Sequence, residues 1–234
     1  MLRIALLSLL LLTHTDARAQ SSLVGFDGAT LAIEGTGAAD LAASYLITGQ
    51  HGLQLDLSLG QAQEAWLVRT GGHLYLMPEQ DRRYGLFIAF SDMNDAPIWA
   101  IEGGIEGVWS LRASTAGLRA GAGLARPGAL DYIFAGASCR QQLTETYSVK
   151  AEASVQEFDE ANLSAIGAQA KIAIEHHPRN SPLAFSAGYR IDTLTGYAPI
   201  TAVFAAFSFT FAQKPLFGST DPLAGLWSRG LVGN

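Results

Sequence analysis

The 234-residue chain has few charged residues, a single cysteine and no long apolar run beyond its first segment. Cys139 has no partner for an internal disulfide, and metal sites built from several cysteines are excluded. Only 15% of the residues are Asp, Glu, Lys or Arg, whereas soluble domains average ~25%. After the first twenty residues no apolar run approaches the ~18 residues that a spanning helix needs. These absences disfavour both an ordinary soluble domain and a helical membrane protein.

The charges that are present are mainly acidic. The chain carries 15 Lys+Arg and 21 Asp+Glu, which gives a formal net charge of −6 at pH 7. Proteins that bind nucleic acids need a basic surface, so we predict no nucleic-acid partner. The spacing of His, Asp and Glu matches no metal or cofactor motif, and we predict no cofactor and no metal site.

Residues 1–19 have the layout of a secretory signal peptide. A basic residue, Arg3, precedes an apolar run from Ile4 to Leu12, and the small residues Ala17 and Ala19 provide a cleavage site before Gln20. The run is about half the ~20 residues of a membrane helix. We therefore expect a leader that directs export and is then cleaved.

The strongest pattern in the rest of the chain is alternation of apolar and polar residues, which places successive side chains on opposite faces of a β-strand. In residues 52–60 four leucines alternate with polar residues, namely Leu53, Leu55, Leu57 and Leu59 with Gln54, Asp56 and Ser58. Turn-forming clusters separate the alternating runs. The pattern predicts strands near 29–36, 39–48, 51–60, 65–77, 83–92, 97–109, 116–125, 130–140, 146–158, 163–176, 183–193 and 200–212. If the first two ranges are one element or a plug, the number falls from twelve to about ten.

Such strands predict an all-β fold, a closed antiparallel transmembrane β-barrel over residues 20–212. In lipid every backbone N–H and C=O must be paired internally, and only a sheet without edges achieves this. The apolar face of each strand would contact lipid and the polar face would line the lumen. A water-soluble lipocalin-type barrel or sandwich would need a densely charged outer face, and the second face here consists mainly of Gly, Ala, Ser and Gln.

On its leader, alternating strands and short connections, the chain resembles the small porin-like outer-membrane β-barrels of Gram-negative bacteria over residues 29–212. The resemblance implies a location in the cell outer membrane, in contact with its lipid and lipopolysaccharide. Such barrels usually end on an aromatic residue that the barrel-insertion machinery reads. We interpret Phe207, Phe209 and Phe211 as an internal form of this signal, because about twenty residues follow them. Residues 213–234 are predicted to be a periplasmic tail, which we expect to be disordered in preference to plugging the barrel.

Sidedness follows from placing both ends of the barrel in the periplasm. The connections at 92–96, 126–129, 158–162 and 193–199 then face outward, and those at 78–83 and 177–182 face the periplasm. Every outer connection is short, so a long loop folded inward as a constriction is not expected.

Nine charged residues are predicted to face the lumen: Glu102, Glu106, Arg112, Arg119, Lys150, Glu152, Lys171, Glu175 and Arg190. They can line a water-filled pore or form ion pairs that fill a narrow lumen, because buried charges need partners or water. A twelve-strand barrel has room for water. The sequence therefore favours a narrow passive channel for small polar solutes over a non-conducting structural or surface-binding barrel.

A lipid-modifying enzyme is a further alternative, and it would need a histidine in a suitable position. A serine nucleophile needs a histidine base within hydrogen-bond reach. His176 and His177 lie near Ser181, but Pro178 indicates a turn, and adjacent residues on a strand point to opposite faces. We predict no catalytic residues and no enzymatic activity.

Aromatic residues are expected to form girdles at the two membrane interfaces. The candidates are Trp66, Trp99, Trp109, Tyr75, Tyr84 and Tyr132.

Overall fold

The computed structural model describes residues 25–62, 65–94, 98–126, 130–160, 163–212, 217–218, 221–227 and 229. The predicted signal peptide, residues 1–19, lies outside the described residues. The elements in chain order are β1 Gly25–Glu34, β2 Ala38–Leu46, β3 His51–Ala62, β4 Ala65–Glu79, β5 Arg82–Met93, β6 Ile98–Leu111, β7 Ser114–Arg126, β8 Leu130–Gln142, β9 Tyr147–Glu160, β10 Leu163–His176, β11 Leu183–Leu194, β12 Tyr197–Ala212 and α1 Ala224–Trp227.

The strands form one closed antiparallel barrel. Each strand pairs with its neighbour in sequence, and β1 pairs with β12 from Gly28 opposite Ala212 to Glu34 opposite Ala206. Closure leaves no strand edge, which is what an antiparallel sheet in lipid requires. The predicted closed barrel of twelve strands is confirmed, and β1 and β2 are separate strands. In the part of the chain that the structure describes, no helix is both long and apolar enough to cross a membrane.

The barrel has two ends, which the course of the chain distinguishes. The termini end contains the start of β1 at Gly25 and the end of β12 at Ala212, and the far end contains Glu34 and Leu194. The connections predicted to face outward lie at the far end, and the two predicted to face the periplasm lie at the termini end. The longest connection between strands is 177–182, so both rims are short, including the connections predicted to face outward.

Alternation along the strands separates an apolar outer face from a polar lumen. Large apolar side chains are exposed on the outside, among them Leu55, Leu86, Ile105, Ile133, Ile172 and Val203. On the alternate positions of the same strands, Asp56, Glu102, Glu106 and Glu175 are buried. A soluble barrel has the opposite arrangement, with its charges outside. The surface thus suits a lipid environment.

Most of the predicted girdle residues lie on the outer face. Trp66 and Trp99 are exposed toward the far end, and Tyr84 pairs with Trp109 toward the termini end, where the Trp109 indole donates to the Tyr84 hydroxyl at 3.2 Å. Tyr75 and Tyr132 are wrong as girdle residues. Both rings are buried inside the barrel, because each has the inward parity of its strand.

Inward glycines allow these two rings to lie flat against the barrel wall. A Cβ added at Gly123 would come within 2.4 Å of the Tyr132 ring, and one at Gly52 within 2.2 Å of the Tyr75 ring. Any side chain at either position would push the ring toward the axis of the barrel. The glycines therefore preserve space in the lumen.

The described residues that follow β12 lie inside the barrel. Phe217, Leu223, Leu226 and Trp227 are all nearly fully buried, and they contact inward-facing residues of the wall. We call residues 217–229 the tail segment. The expectation of a disordered tail is wrong for its described residues, which occupy the lumen as a plug.

Candidate functional site in the barrel lumen

The structure places eight of the nine predicted lumen residues within strands and one in a turn. Glu102, Glu106, Arg119, Lys150, Glu152, Lys171, Glu175 and Arg190 all occupy inward positions and form ion pairs or hydrogen bonds there. Arg112 departs from the prediction. It lies in the turn between β6 and β7 with φ of 49° and is exposed, because β6 ends at Leu111 and the alternation ends with it.

Glu102 is the centre of a buried polar network on one side of the lumen. Its carboxylate pairs with the guanidinium of Arg69 and with Arg119 at 3.2 Å. It also accepts a hydrogen bond from the Tyr132 hydroxyl at 3.1 Å. The guanidinium of Arg119 also lies over the face of the Phe87 ring, 4.3 Å from its centre, in a favourable cation–π contact.

A second buried group joins β3, β4 and β6. His73 lies between two carboxylates, with Nε2 2.8 Å from Asp56 and Nδ1 2.6 Å from Glu106. A carboxylate can only accept, so this geometry suits an imidazolium that donates from both nitrogens. The Gln54 amide also donates to Asp56 at 2.8 Å. In the described residues, no group of three or more His, Cys, Asp or Glu side chains is arranged to hold a metal ion.

The opposite side of the lumen carries charges that are much less covered. The register places Glu152, Lys171 and Arg190 directly side by side on β9, β10 and β11. Lys171 pairs with Glu34 at 2.9 Å, and Lys150 pairs with Glu152 at 2.7 Å. The side chains of Lys150, Lys171 and Arg190 are 40%, 32% and 37% exposed, whereas that of Arg69 is 7% exposed. Water therefore reaches the cations on this side.

These exposed charges line a cavity of about 300 Å³ in the lumen. Its lining includes Arg69, and we call its other charged wall residues the charged side: Glu34, Asp40, Lys150, Glu152, Lys171 and Arg190. The charged side has three carboxylates and three cations, and Asp221 offsets Arg69, so the lining is close to electrically balanced. The tail segment forms part of the same boundary, through Gly218, Asp221 and Ala224.

The tail segment enters the lumen near the termini end. The Phe217 ring stacks on His73 with 5.5 Å between ring centres. Gln54 holds the Phe217 backbone in two directions, since its amide donates to the carbonyl at 2.9 Å and its side-chain oxygen accepts from the N–H at 3.3 Å. Arg119 donates to the Gly218 carbonyl at 3.4 Å.

Further along, the tail segment crosses the lumen between opposite walls. The carboxylate of Asp221 lies 3.8 Å from Arg69 on β4. From β10, the Gln169 amide donates to the Asp221 carbonyl at 3.1 Å.

Helix α1 completes the path at the far end. Leu223, Leu226 and Trp227 are buried in a cluster of wall residues, which includes Phe87, Leu130, Tyr132, Phe134, Phe158 and Leu194. We call this cluster, with the Glu102 network beside it, the packed side. Arg229 then donates to the backbone carbonyls of Asp192 and Ala198 at the far rim. The described residues of the segment thus lie along the lumen from near the termini end to the far rim.

The three residues that could provide enzymatic chemistry each have a different partner. His176 faces outward and contacts the Tyr147 ring at 4.6 Å between centres. His177 faces inward and interacts with Arg140. The Ser181 hydroxyl accepts a hydrogen bond from the Leu183 N–H within the 177–182 turn. The two histidines therefore lie on opposite faces of the wall, as predicted.

Sequence reasoning missed several residues of the lumen. Arg69 and His73 follow the inward alternation of β4, so the parity rule that identified Glu102 and Glu106 would also have found them. Gln54 was placed on the polar face of its strand but received no role. The contacts of Phe217 carry no sequence signal, because they join positions more than 140 residues apart.

Solved structures share this fold at very low sequence identity. The NanC porin, in a rhombohedral crystal form, superposes with a TM-score of 0.56 and 6% identity over 80% of this chain and 99% of that chain. The KdgM porin in complex with disordered oligogalacturonate gives 0.51 and 8%, over 80% and 99%. LpxR from Salmonella typhimurium gives 0.51 and 10%, over 79% and 99%. No protein-family model and no curated protein matches the chain. The chain has the fold of the small porin-like outer-membrane β-barrels.

Proposed function

We propose that the protein is an outer-membrane barrel that acts as a narrow passive channel for small polar solutes, which pass along the charged side of the lumen. The observation that carries the proposal is the cavity of about 300 Å³ between the tail segment and the exposed cations Lys150, Lys171 and Arg190. An apolar outer face and closed backbone pairing support the location in lipid.

The balance of charge on the lining supports a broad solute class. Each exposed cation has a carboxylate within reach, as in the pairs of Lys150 with Glu152 and of Lys171 with Glu34. Alternating charges of both signs attract water and polar solutes without a strong preference for anions or cations. We therefore expect small solutes of low net charge to pass, and K⁺ and Cl⁻ to permeate with similar ease.

The test is single-channel recording in planar lipid bilayers. The purified barrel, checked for folding by its heat-modifiable migration in electrophoresis, is expected to give small discrete conductance steps in KCl. Folded protein that inserts and gives no steps would contradict the proposal. Fractionation of cells tests the location separately, since a band in the outer membrane is expected and a soluble periplasmic band would contradict it.

The second candidate is a non-conducting structural barrel. It is favoured by the tail segment itself, which fills the packed side with Leu223, Leu226 and Trp227. Lumenal ion pairs then serve to cross-link the wall and not to line a passage. Absence of conductance together with full folding would select this candidate.

A further inference from the structure

We propose that the tail segment is a tethered gate, whose withdrawal from the packed side opens a wider aqueous path than the one beside it. The inference rests on the proposed function, because it assumes that the lumen conducts. It goes further because it proposes that the docking of residues 217–229 determines how wide the passage is.

The first argument is that the charged groups of the lumen wall keep their partners without the tail segment. Arg69 contacts Asp221, but it also pairs with Glu102 and donates to Ser91. Buried polar groups are costly only when they lose every partner. Release of Asp221 therefore leaves the Arg69 guanidinium paired.

The groups around Phe217 behave in the same way. His73 stacks on the Phe217 ring, yet both ring nitrogens are held by Asp56 and Glu106 on the wall. Gln54 loses its two bonds to the Phe217 backbone but retains Asp56. Arg119 loses the Gly218 carbonyl but retains Glu102. A wall whose charged groups stay paired is prepared for a state in which the plug is absent, and water in the freed lumen can replace the tail partners of Gln54 and Gln169.

The second argument concerns what holds the segment in place. Arg69, His73 and Arg119 keep wall partners when the segment leaves, so the strongest attachment is the burial of Leu223, Leu226 and Trp227 at the far end. This anchor is local, and the chain joins the segment covalently to β12, which ends at Ala212. Loss of one cluster would free the segment while the tether keeps it close enough to dock again.

The third argument is the volume that withdrawal would free. The docked segment spans the lumen from Phe217 near the termini end to Arg229 at the far rim. A twelve-strand barrel has room for water when no plug fills it. Undocking would join the space now held by the segment to the cavity of the charged side.

The experiment compares single-channel conductance of the full chain with that of a variant carrying both Leu226→Ala and Trp227→Ala. The matched control is Trp66→Ala, which removes an exposed tryptophan from the outer face. The double variant is expected to conduct roughly threefold more or higher, or to add a second, larger state, because the freed lumen holds water. The control is expected to keep the conductance of the unmodified protein.

A second measurement reports on the tail segment directly. Leu194→Cys, in a Cys139→Ser background, places a thiol in the cluster under α1. A hydrophilic maleimide should label this thiol slowly when residues 226 and 227 are unchanged. Labelling should be much faster when the same chain also carries Leu226→Ala and Trp227→Ala. Heat-modifiable migration confirms that each variant is folded.

The outcomes separate the gate from the channel. Faster labelling without any rise in conductance, or no change in either, would overturn the gate and leave the channel intact. If the unmodified protein gives no conductance and the double variant conducts, the channel is closed while the segment is docked. That result would overturn constitutive passage and support the gate. Silence of both, in folded barrels, would overturn both.

Discussion

Charged side chains are stabilised differently on the two sides of the lumen. On the packed side, Glu102 and Arg69 lie almost without solvent and are held by direct partners. On the charged side, Lys150 and Lys171 also have partners, but about a third of each side chain faces the cavity. The difference shows that one wall is built for contact with protein and the other for contact with water.

The largest expected difference between the two sides is in the unfolding free energy lost when one carboxylate is removed from each. Glu102→Gln removes the carboxylate that pairs with both Arg69 and Arg119 and leaves the buried Arg69 with the more distant Asp221, at 3.8 Å. This loss is expected to cost ~3–5 kcal/mol of unfolding free energy. Glu152→Gln is the matched change on the charged side, and it should cost less than ~1 kcal/mol because water replaces the lost charge. Urea unfolding of both variants in detergent micelles measures the two costs. Equal costs would show that the two sides do not differ in solvation.

A smaller effect is expected from truncating the anchor of the tail segment. Leu226→Ala removes buried apolar surface and should weaken docking by ~2–3 kcal/mol. That corresponds to roughly 30-fold to 150-fold more of the undocked state. Trypsin cleavage after Arg229, followed by mass spectrometry, should accelerate by a similar factor. Leu55→Ala on the outer face serves as the control and should leave the cleavage rate unchanged.

The polar contact of the tail segment is expected to matter less than its anchor. Asp221→Asn removes a charge 3.8 Å from Arg69, and Arg69 keeps its other partners. The loss should be about 1 kcal/mol, which accelerates the same cleavage roughly fivefold. A larger effect than that of Leu226→Ala would show that the ion pair, and not apolar burial, holds the segment.

The smallest expected change concerns ion preference on the charged side. Lys171→Gln removes a cation that lines the cavity and leaves Glu34 with Arg190 at 3.8 Å. The K⁺/Cl⁻ permeability ratio should rise roughly twofold, because the lining becomes more negative. Reversal potentials in a KCl gradient measure the ratio. Arg179→Gln, in an exposed turn, should leave it unchanged, and an equal shift there would place the effect outside the lumen.

Much of the barrel wall was predictable from the sequence. The alternation that places Leu53 and Leu55 outside and Gln54 inside is a local property of each strand, so it identified all twelve strands. The same parity identified Glu102 and Glu106 as neighbours on one face. The assignment of Arg112 was wrong because it extended the alternation beyond the strand, into a turn with a left-handed backbone.

The contents of the lumen were less predictable for a physical reason. Phe217 and Trp227 belong to a segment that contains Pro and Gly, and its described residues include a helix of four residues and no strand, so no periodicity indicates which surface they cover. Their burial depends on a wall that exists only after the barrel closes. The division into packed and charged sides follows from that docking and has no local signature in the strands.

The claim that water follows the charged side is tested most directly by a matched pair of serines. Ser154→Cys places a thiol on the cavity of the charged side, and Ser91→Cys places one on the packed side, where Ser91 is fully buried. Both are made in a Cys139→Ser background and recorded in planar bilayers while a charged methanethiosulfonate reagent is added. The current should fall in steps for Ser154→Cys and stay constant for Ser91→Cys. Modification of Ser91→Cys at the same rate, or of neither thiol in a conducting barrel, would contradict a passage along the charged side.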